Sequence, residues 1–333
     1  MKIYLAGDSI VQNYEKEEFI AGWGQFLPFF IKDGVEVVND AKGGRSSRLF
    51  INEGRFKNIE KNISAGDYLL IEFCHNDDAS KEYKTMFNRL TPLGEPDSDG
   101  RFPIIPGEAM PKDYIPPEYI DALRKDENVK DKQAVLDSVY KILESYPHDT
   151  YYPYSADGSK GTYLWFLKQF VDMAREKGAV PVFVTAPART VYDANGNIKD
   201  GAGLHGGNNF AYIRAMKQLG EEAKVPVIDL FAYSCGLYKQ KKKKKIHWIT
   251  SIKKGCNKGI WPDDFNSEMQ KKETVSEDTH FNKYGAMLIT QGLVKLIKES
   301  DSSQLDGLKG MLKNPDGIDI EKYVKKPLVF EEF

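Results

Sequence analysis

Gly7-Asp8-Ser9 places a hydroxyl where an apolar run stops. Residues 3–6 read as a short buried strand, Gly7 permits a sharp turn, and Asp8 or Ser9 can cap the segment that follows. Ser9 therefore falls at the carboxyl end of a strand, where open α/β sheets place their ligands. Alone, Gly-Asp-Ser is a common turn, but three more blocks follow in order: Asn39-Asp40-Ala41-Lys42-Gly43-Gly44-Arg45-Ser46-Ser47, Phe73-Cys74-His75-Asn76-Asp77 and Glu277-Asp278-Thr279-His280-Phe281-Asn282. The two internal blocks each follow a strand-like run, 35–38 and 68–73. Together they bring a serine, a glycine loop, an asparagine and a histidine toward one sheet edge. Acyl transfer to serine needs a base for the hydroxyl proton, a group that orients the base, and donors for the developing oxyanion.

In this order the blocks resemble those of the SGNH (GDSL-type) hydrolases. They are most similar to the rhamnogalacturonan acetylesterases and related carbohydrate acetylesterases, through Gly22-Trp23-Gly24, Gly43-Gly44-Arg45-Ser46-Ser47-Arg48, His75-Asn76-Asp77 and Thr279-His280-Phe281-Asn282. The resemblance covers roughly residues 1–77, 155–232 and 273–298, and the ordered set is specific where each block alone is weak. It implies a serine esterase that removes O-acetyl groups from plant cell-wall carbohydrate, pectic rhamnogalacturonan or xylan fragments, through an acetyl-serine intermediate. It implies no metal or organic cofactor, and an acetylated oligosaccharide or polysaccharide as partner. Two other readings stay open: a general short-chain arylesterase or lipase-like hydrolase of the same fold, and a non-catalytic carbohydrate-binding relative.

The resemblance carries the nucleophile to Ser9 and the base to His280. It places the oxyanion donors at the Ser9 N–H, the Gly44 N–H and the Asn76 amide, with Gly44 chosen over Gly43 because the related pattern puts the functional glycine directly before Arg-Ser. Glycine there keeps a side chain out of the acyl group's path, and asparagine donates without charge. Related enzymes carry an aspartate three residues before the histidine. Here that position is Glu277, with Asp278 two before; the longer glutamate can still accept from Nδ1, so Glu277 is preferred and Asp278 is the alternative. Arg45 and Arg48 read as structural partners for carboxylates.

The elements around these residues alternate. A helix over 23–30, strands at 35–38 and 68–73, and a helical face at Phe56, Ile59 and Ile63 are followed by a helix over 163–177, a strand at 180–185, a helix over 210–223, a strand at 225–230 and a last helix over 284–298. That alternation predicts an α/β fold, a three-layer α/β/α sandwich with a parallel central sheet, which is the flavodoxin-like layout the resemblance implies. One domain spans 1–333, with insertions at about 78–158 and 233–272. The first leaves the sheet beside Asn76, carries one expected helix near 135–145, and is a candidate lid or substrate wall.

Composition narrows the partners. The 333 residues include 47 Lys and Arg against 49 Asp and Glu, a net charge of −2, so no global field points to nucleic acid or an anionic membrane. No apolar run approaches the roughly 20 residues of a membrane span, and a fold strand starts directly where a leader would have a charged region followed by an apolar one. The expected compartment is the cytoplasm, or the exterior if a leader was removed. Cys74, Cys235 and Cys256 have no disulfide or zinc spacing, and Cys74 reads as a small buried apolar side chain. Gly201-Ala202-Gly203-Leu204-His205-Gly206 lacks the preceding strand of a dinucleotide site. The loop starting at Asp193 has Ile198 where a calcium loop needs glycine. Lys241 to Lys245 reads as a solvated surface run.

Overall fold

Strands built from Val, Ile, Leu and Tyr pair exclusively in parallel in the central sheet. In the computed structural model, which describes residues 1–15, 20–189, 210–239, 251–253, 274–276 and 279–324, the sheet holds β1 (Lys2–Gly7), β2 (Glu36–Asn39), β3 (Tyr68–Glu72), β4 (Val180–Val184) and β5 (Val227–Ile228). Their spatial order is β2-β1-β3-β4-β5. Side chains alternate between two cores: Ile3, Leu5, Tyr68 and Leu70 enter one, while Tyr4, Ala6, Leu69 and Ile71 enter the other. A sheet buried on both faces makes three layers, as the alternation of elements predicts.

One face is covered by the turn Trp23–Phe26, which tightens into a 3₁₀ turn at Leu27–Phe30 where Pro28 enters, and by the helix Lys283–Glu299. The other face carries α1 (Ser47–Asn52), α2 (Arg55–Asn62), α3 (Tyr163–Glu176) and α4 (Ala211–Ala223). After them come α5 (Leu230–Lys239) and α6, the helix Lys283–Glu299. α1 and α2 are separate because Gly54, at φ 75°, breaks the run between them. Trp23 is wholly buried in the core. No helix among the described residues is long and apolar enough to cross a membrane.

Three departures from expectation have local causes. The insertion at 78–158 holds three helices, Tyr83–Asn88, Pro117–Lys125 and Lys132–Ser145, and pairs Met110–Pro111 antiparallel with Thr150–Tyr151. Its interior is a separate cluster rich in tyrosine, including Tyr83, Phe87, Tyr119, Leu123, Leu143 and Tyr151, joined by Leu49 of α1. The expected irregular stretch from 233 begins inside α5, whose last residue is Lys239. Beyond α6, Leu305, Leu308, Met311, Leu312 and Ile320 come from short helical turns and fill the first core, although no element is expected there from the sequence.

Candidate active site

The strand order reverses between β1 and β3, and this switch point is where a doubly wound sheet opens a crevice. Gly7 is in register with Glu72, so the chain leaving β1 at Ser9 and the chain leaving β3 toward Asn76 emerge side by side. The turn after β1 is fixed by Val11 and Gln12 N–H groups donating to the Asp8 carbonyl, and by Tyr14 donating to the Ser9 carbonyl at 2.9 Å. Gly22 and Gly24 allow the next segment to press against this turn. A Cβ on Gly22 would lie 2.4 Å from main-chain atoms of Val11 and Gln12, and one on Gly24 2.4 Å from the Val11 carbonyl oxygen, so the Gly22-Trp23-Gly24 motif is a close-approach device.

His280 arrives from the far end of the sequence. Phe281–Asn282 pairs antiparallel with Ile20–Ala21, and Asn282 caps α6 by accepting from the Gly285 N–H at 2.9 Å. This puts His280 Nε2 2.8 Å from Ser9 Oγ, across 271 residues of sequence. In the tautomer with its proton on Nδ1, the imidazole accepts the Ser9 hydroxyl, which is the geometry a general base requires.

The glycine loop separates its two candidates. Gly43 N–H is taken by Gln12 Oε1 at 2.5 Å, whereas among the described residues neither the Ser9 nor the Gly44 N–H meets a backbone acceptor. Gly44 is glycine for its φ of 78°: a Cβ there would touch nothing within 4 Å, so conformation, more than steric exclusion by the protein, selects it. Arg45 holds the loop by donating to the Gly43 carbonyl at 2.7 Å while pairing with Glu53.

Behind the loops lies a buried polar layer that sequence reasoning missed apart from its endpoints. Asp8 accepts from Ile10 N–H at 2.9 Å and from Asn76 Nδ2 at 3.0 Å, and is wholly buried. Burial raises its pKa to about 6, against the Ile10 and Asn76 bonds and the charge of His280. Asp77 accepts from the Ser47 N–H and hydroxyl at 3.0 and 2.5 Å, tying the asparagine loop to the start of α1, and burial raises it to about 7. Glu72 has no hydrogen-bond partner for either carboxyl oxygen among the described residues. Burial, then repulsion from Asp8 and Asp77, pushes its pKa well up from the ordinary carboxylate range. The Gly-Asp-Ser aspartate was legible only as a cap; its contact with a loop 68 residues away has no sequence signal.

Cys74 is wholly buried, contacts the Tyr163 hydroxyl at 3.3 Å and has its thiol pushed up by burial, as a packing residue should. Arg48 departs from expectation. Its guanidinium is buried and donates to four main-chain carbonyls, those of Tyr152, Met86, Phe87 and Leu90, with no carboxylate among the described residues in its shell of hydrogen bonds. Starting at Ala79, just past the Asn76 turn, the insertion and Tyr212 of α4 line an open cavity of about 430 Å³ whose walls include Ser80, Lys81, Glu95, Tyr154 and Asp157. Among the described residues no group of three His, Cys, Asp or Glu side chains could hold a metal ion. Glu277 and Asp278, the two candidate acids, lie outside the described residues, as do the glycine-rich segment from Gly201, the loop from Asp193 and the lysines from Lys241.

No family model matches the chain. The rhamnogalacturonan acetylesterase RhgT of Bacillus subtilis (strain 168) is 29% identical over 304 residues, covering 90% of this chain and 90% of that protein. The probable rhamnogalacturonan acetylesterase YesY of the same organism is 30% identical over 298 residues, covering 89% of this chain and 92% of its own length. The crystal structure of Bacillus subtilis YxiM shares the fold with a TM-score of 0.51 at 18% identity, over 91% of this chain and 57% of that longer one. Sequence likeness along nearly the whole length, on an α/β fold that brings Ser9 and His280 together, has one consequence. The chain belongs to the rhamnogalacturonan acetylesterase family of carboxylic ester hydrolases.

Proposed function

We propose that this chain removes O-acetyl groups from plant cell-wall carbohydrate, acetylated rhamnogalacturonan or xylan fragments, through an acetyl-serine intermediate. The contact between Ser9 Oγ and His280 Nε2 at the sheet's switch point carries the reading. As Oγ attacks the acetyl carbonyl, Nε2 takes its proton; the oxyanion is met by the Ser9 N–H, the Gly44 N–H and the Asn76 amide. Collapse expels the sugar oxygen, which receives the proton from the imidazolium. Water then repeats the sequence on the acetyl-serine, releasing acetate and restoring the hydroxyl. Glu277, or failing it Asp278, orients His280. The similarity to RhgT and YesY supports a pectic substrate, and the insertion cavity beside the Asn76 turn supplies a wall with hydroxyl, ammonium and carboxylate groups for sugar hydroxyls.

Acetate release from acetylated rhamnogalacturonan, acetylxylan and 4-nitrophenyl acetate tests this. The wild type should release acetate from at least one polysaccharide and Ser9→Ala from none. Equal turnover of octanoyl and acetyl esters with no release from either polysaccharide would replace the reading with a lipase-like one. Failure of Ser9 to form any covalent adduct with an organophosphonate would leave a non-catalytic relative.

A further inference from the structure

Asp8 reacts with nothing in that sequence of steps, yet it is wholly buried and gives each carboxyl oxygen a different donor. Oδ1 accepts from the Ile10 N–H at 2.9 Å and Oδ2 from Asn76 Nδ2 at 3.0 Å. A primary amide is almost symmetric in shape, and a half-turn about its last bond exchanges two donors for an acceptor. Shape alone therefore does not decide which end of Asn76 faces a developing oxyanion; the neighbouring charges do. An ionised carboxyl has no proton to give, so the end of Asn76 that meets Asp8 must be its NH2 group. That nitrogen carries two protons, and a bond to Asp8 uses only one.

We infer that Asp8 is a positioning residue that fixes the orientation of the Asn76 amide, so that the site is offered an N–H and not a carbonyl oxygen. The inference rests on the proposal that Asn76 is an oxyanion donor. Orientation starts at the main chain of the nucleophile's own turn, through the Ile10 N–H, passes through the carboxylate and ends at the amide. It holds while Asp8 is ionised. The charged or titratable groups facing Asp8 are His280, whose positive charge favours ionisation, and Glu72 and Asp77 from the β3 segment, which oppose it when charged.

Asp8→Asn tests the idea because it keeps the shape. The Ile10 N–H still demands an oxygen, so the new NH2 group falls at the Oδ2 position, faces Asn76 and turns that residue's oxygen toward itself. With 4-nitrophenyl acetate, kcat should fall about 10²- to 10³-fold, the cost of one lost oxyanion donor, with KM unchanged. In an Asn76→Ala background the same Asp8→Asn change should cost less than about twofold, because the amide it orients is gone. A merely structural role in the turn would be lost equally in both backgrounds, so additive losses overturn the inference, as does wild-type kcat in the single variant. Ser9→Ala, assayed alongside, separates the failures. If it stays active the esterase reading falls; if it is dead while Asp8→Asn matches wild type, only the positioning role falls. Should Asp8→Asn not fold, the side-chain amide of Asn76 in ¹⁵N-labelled His280→Ala protein gives the answer. One of its two protons should move with the Asp8 titration between about pH 4 and 8, and immobility of both across that range overturns the inference.

Discussion

The sheet edge and the insertion at 78–158 are held by different physics, although they meet at one short helix. At the sheet edge, parallel main-chain pairing and alternating aliphatic side chains place Ser9, Gly44 and Asn76, and a layer of buried carboxyls lies behind them. In the insertion, a tyrosine-rich cluster is tied down by Arg48, spread over four carbonyls, and by Asn52, which exchanges two hydrogen bonds with the Tyr152 main chain at 2.9 and 2.8 Å. Burial raises the Tyr119 and Tyr146 pKa values to about 12, so these rings act as neutral packing. The joint is α1: its first residue, Ser47, binds Asp77 of the asparagine loop, and its next turn grips the insertion. The sheet edge and the insertion are thereby mechanically linked through α1, although each packs around its own core.

The sharpest break removes the chemistry and leaves both regions standing. His280→Ala should lower kcat on 4-nitrophenyl acetate by about 10⁴-fold or more, with a melting temperature within about 2 °C of wild type. Arg48→Met should do the opposite. Stripping a charged donor from four buried carbonyls costs about 3 kcal/mol or more, and hydrogen exchange should show lost protection in the three insertion helices with β1, β3 and β4 unaffected. Its acetate release from polysaccharide should fall further than its turnover of the small nitrophenyl ester; equal loss of protection in the sheet would mean the two regions unfold as one unit.

A smaller effect belongs to the sheet side alone. Asp8 at about 6, Asp77 at about 7 and Glu72, pushed well up by burial, all have folded pKa values above the unfolded values of about 3.9 to 4.3. The folded form therefore holds more protons, and these groups favour folding fully in acid and lose that contribution as pH rises from about 4 through about 7. Glu72→Gln removes one titration. Compared with wild type by urea unfolding, it should gain stability between pH 5 and pH 7.5, by at most about 1.4 kcal/mol per pH unit. Smallest of all, Lys81→Ala should change KM for an acetylated polysaccharide by about threefold, as loss of one exposed polar contact would, and leave 4-nitrophenyl acetate kinetics unchanged.

The same contrast explains what was legible. Strands β1, β3 and β4 show as apolar runs because both their faces are buried, and Ser9, Asn76 and His280 stand out because each follows such a run or sits in a distinctive block. The insertion showed one helix of three because Tyr83–Asn88 and Pro117–Lys125 are short and draw their stability from the tyrosine cluster more than from their own pattern. The turns at 303–323 stayed invisible for that reason: Leu305, Leu308 and Ile320 are apolar points in a polar background, meaningful only against the core they complete. Asp8 looked like a cap because its local bond to Ile10 is a cap; its second bond is tertiary. The choice between Glu277 and Asp278 rests on spacing.

The two-residue ladder joining Ile20–Ala21 to Phe281–Asn282 also sets a clock for the protein's own synthesis. A ribosome works from the amino end, and once Ile228 has cleared the exit tunnel all five strands of the sheet exist, with the nucleophile and every proposed oxyanion donor already made. The imidazole is still untranslated. Closing a contact across so long a stretch is the slow, entropically expensive kind of event. On the proposed roles, a nascent chain can thus carry all five strands while remaining chemically silent, and would begin to hydrolyse esters only once the segment before α6 docks.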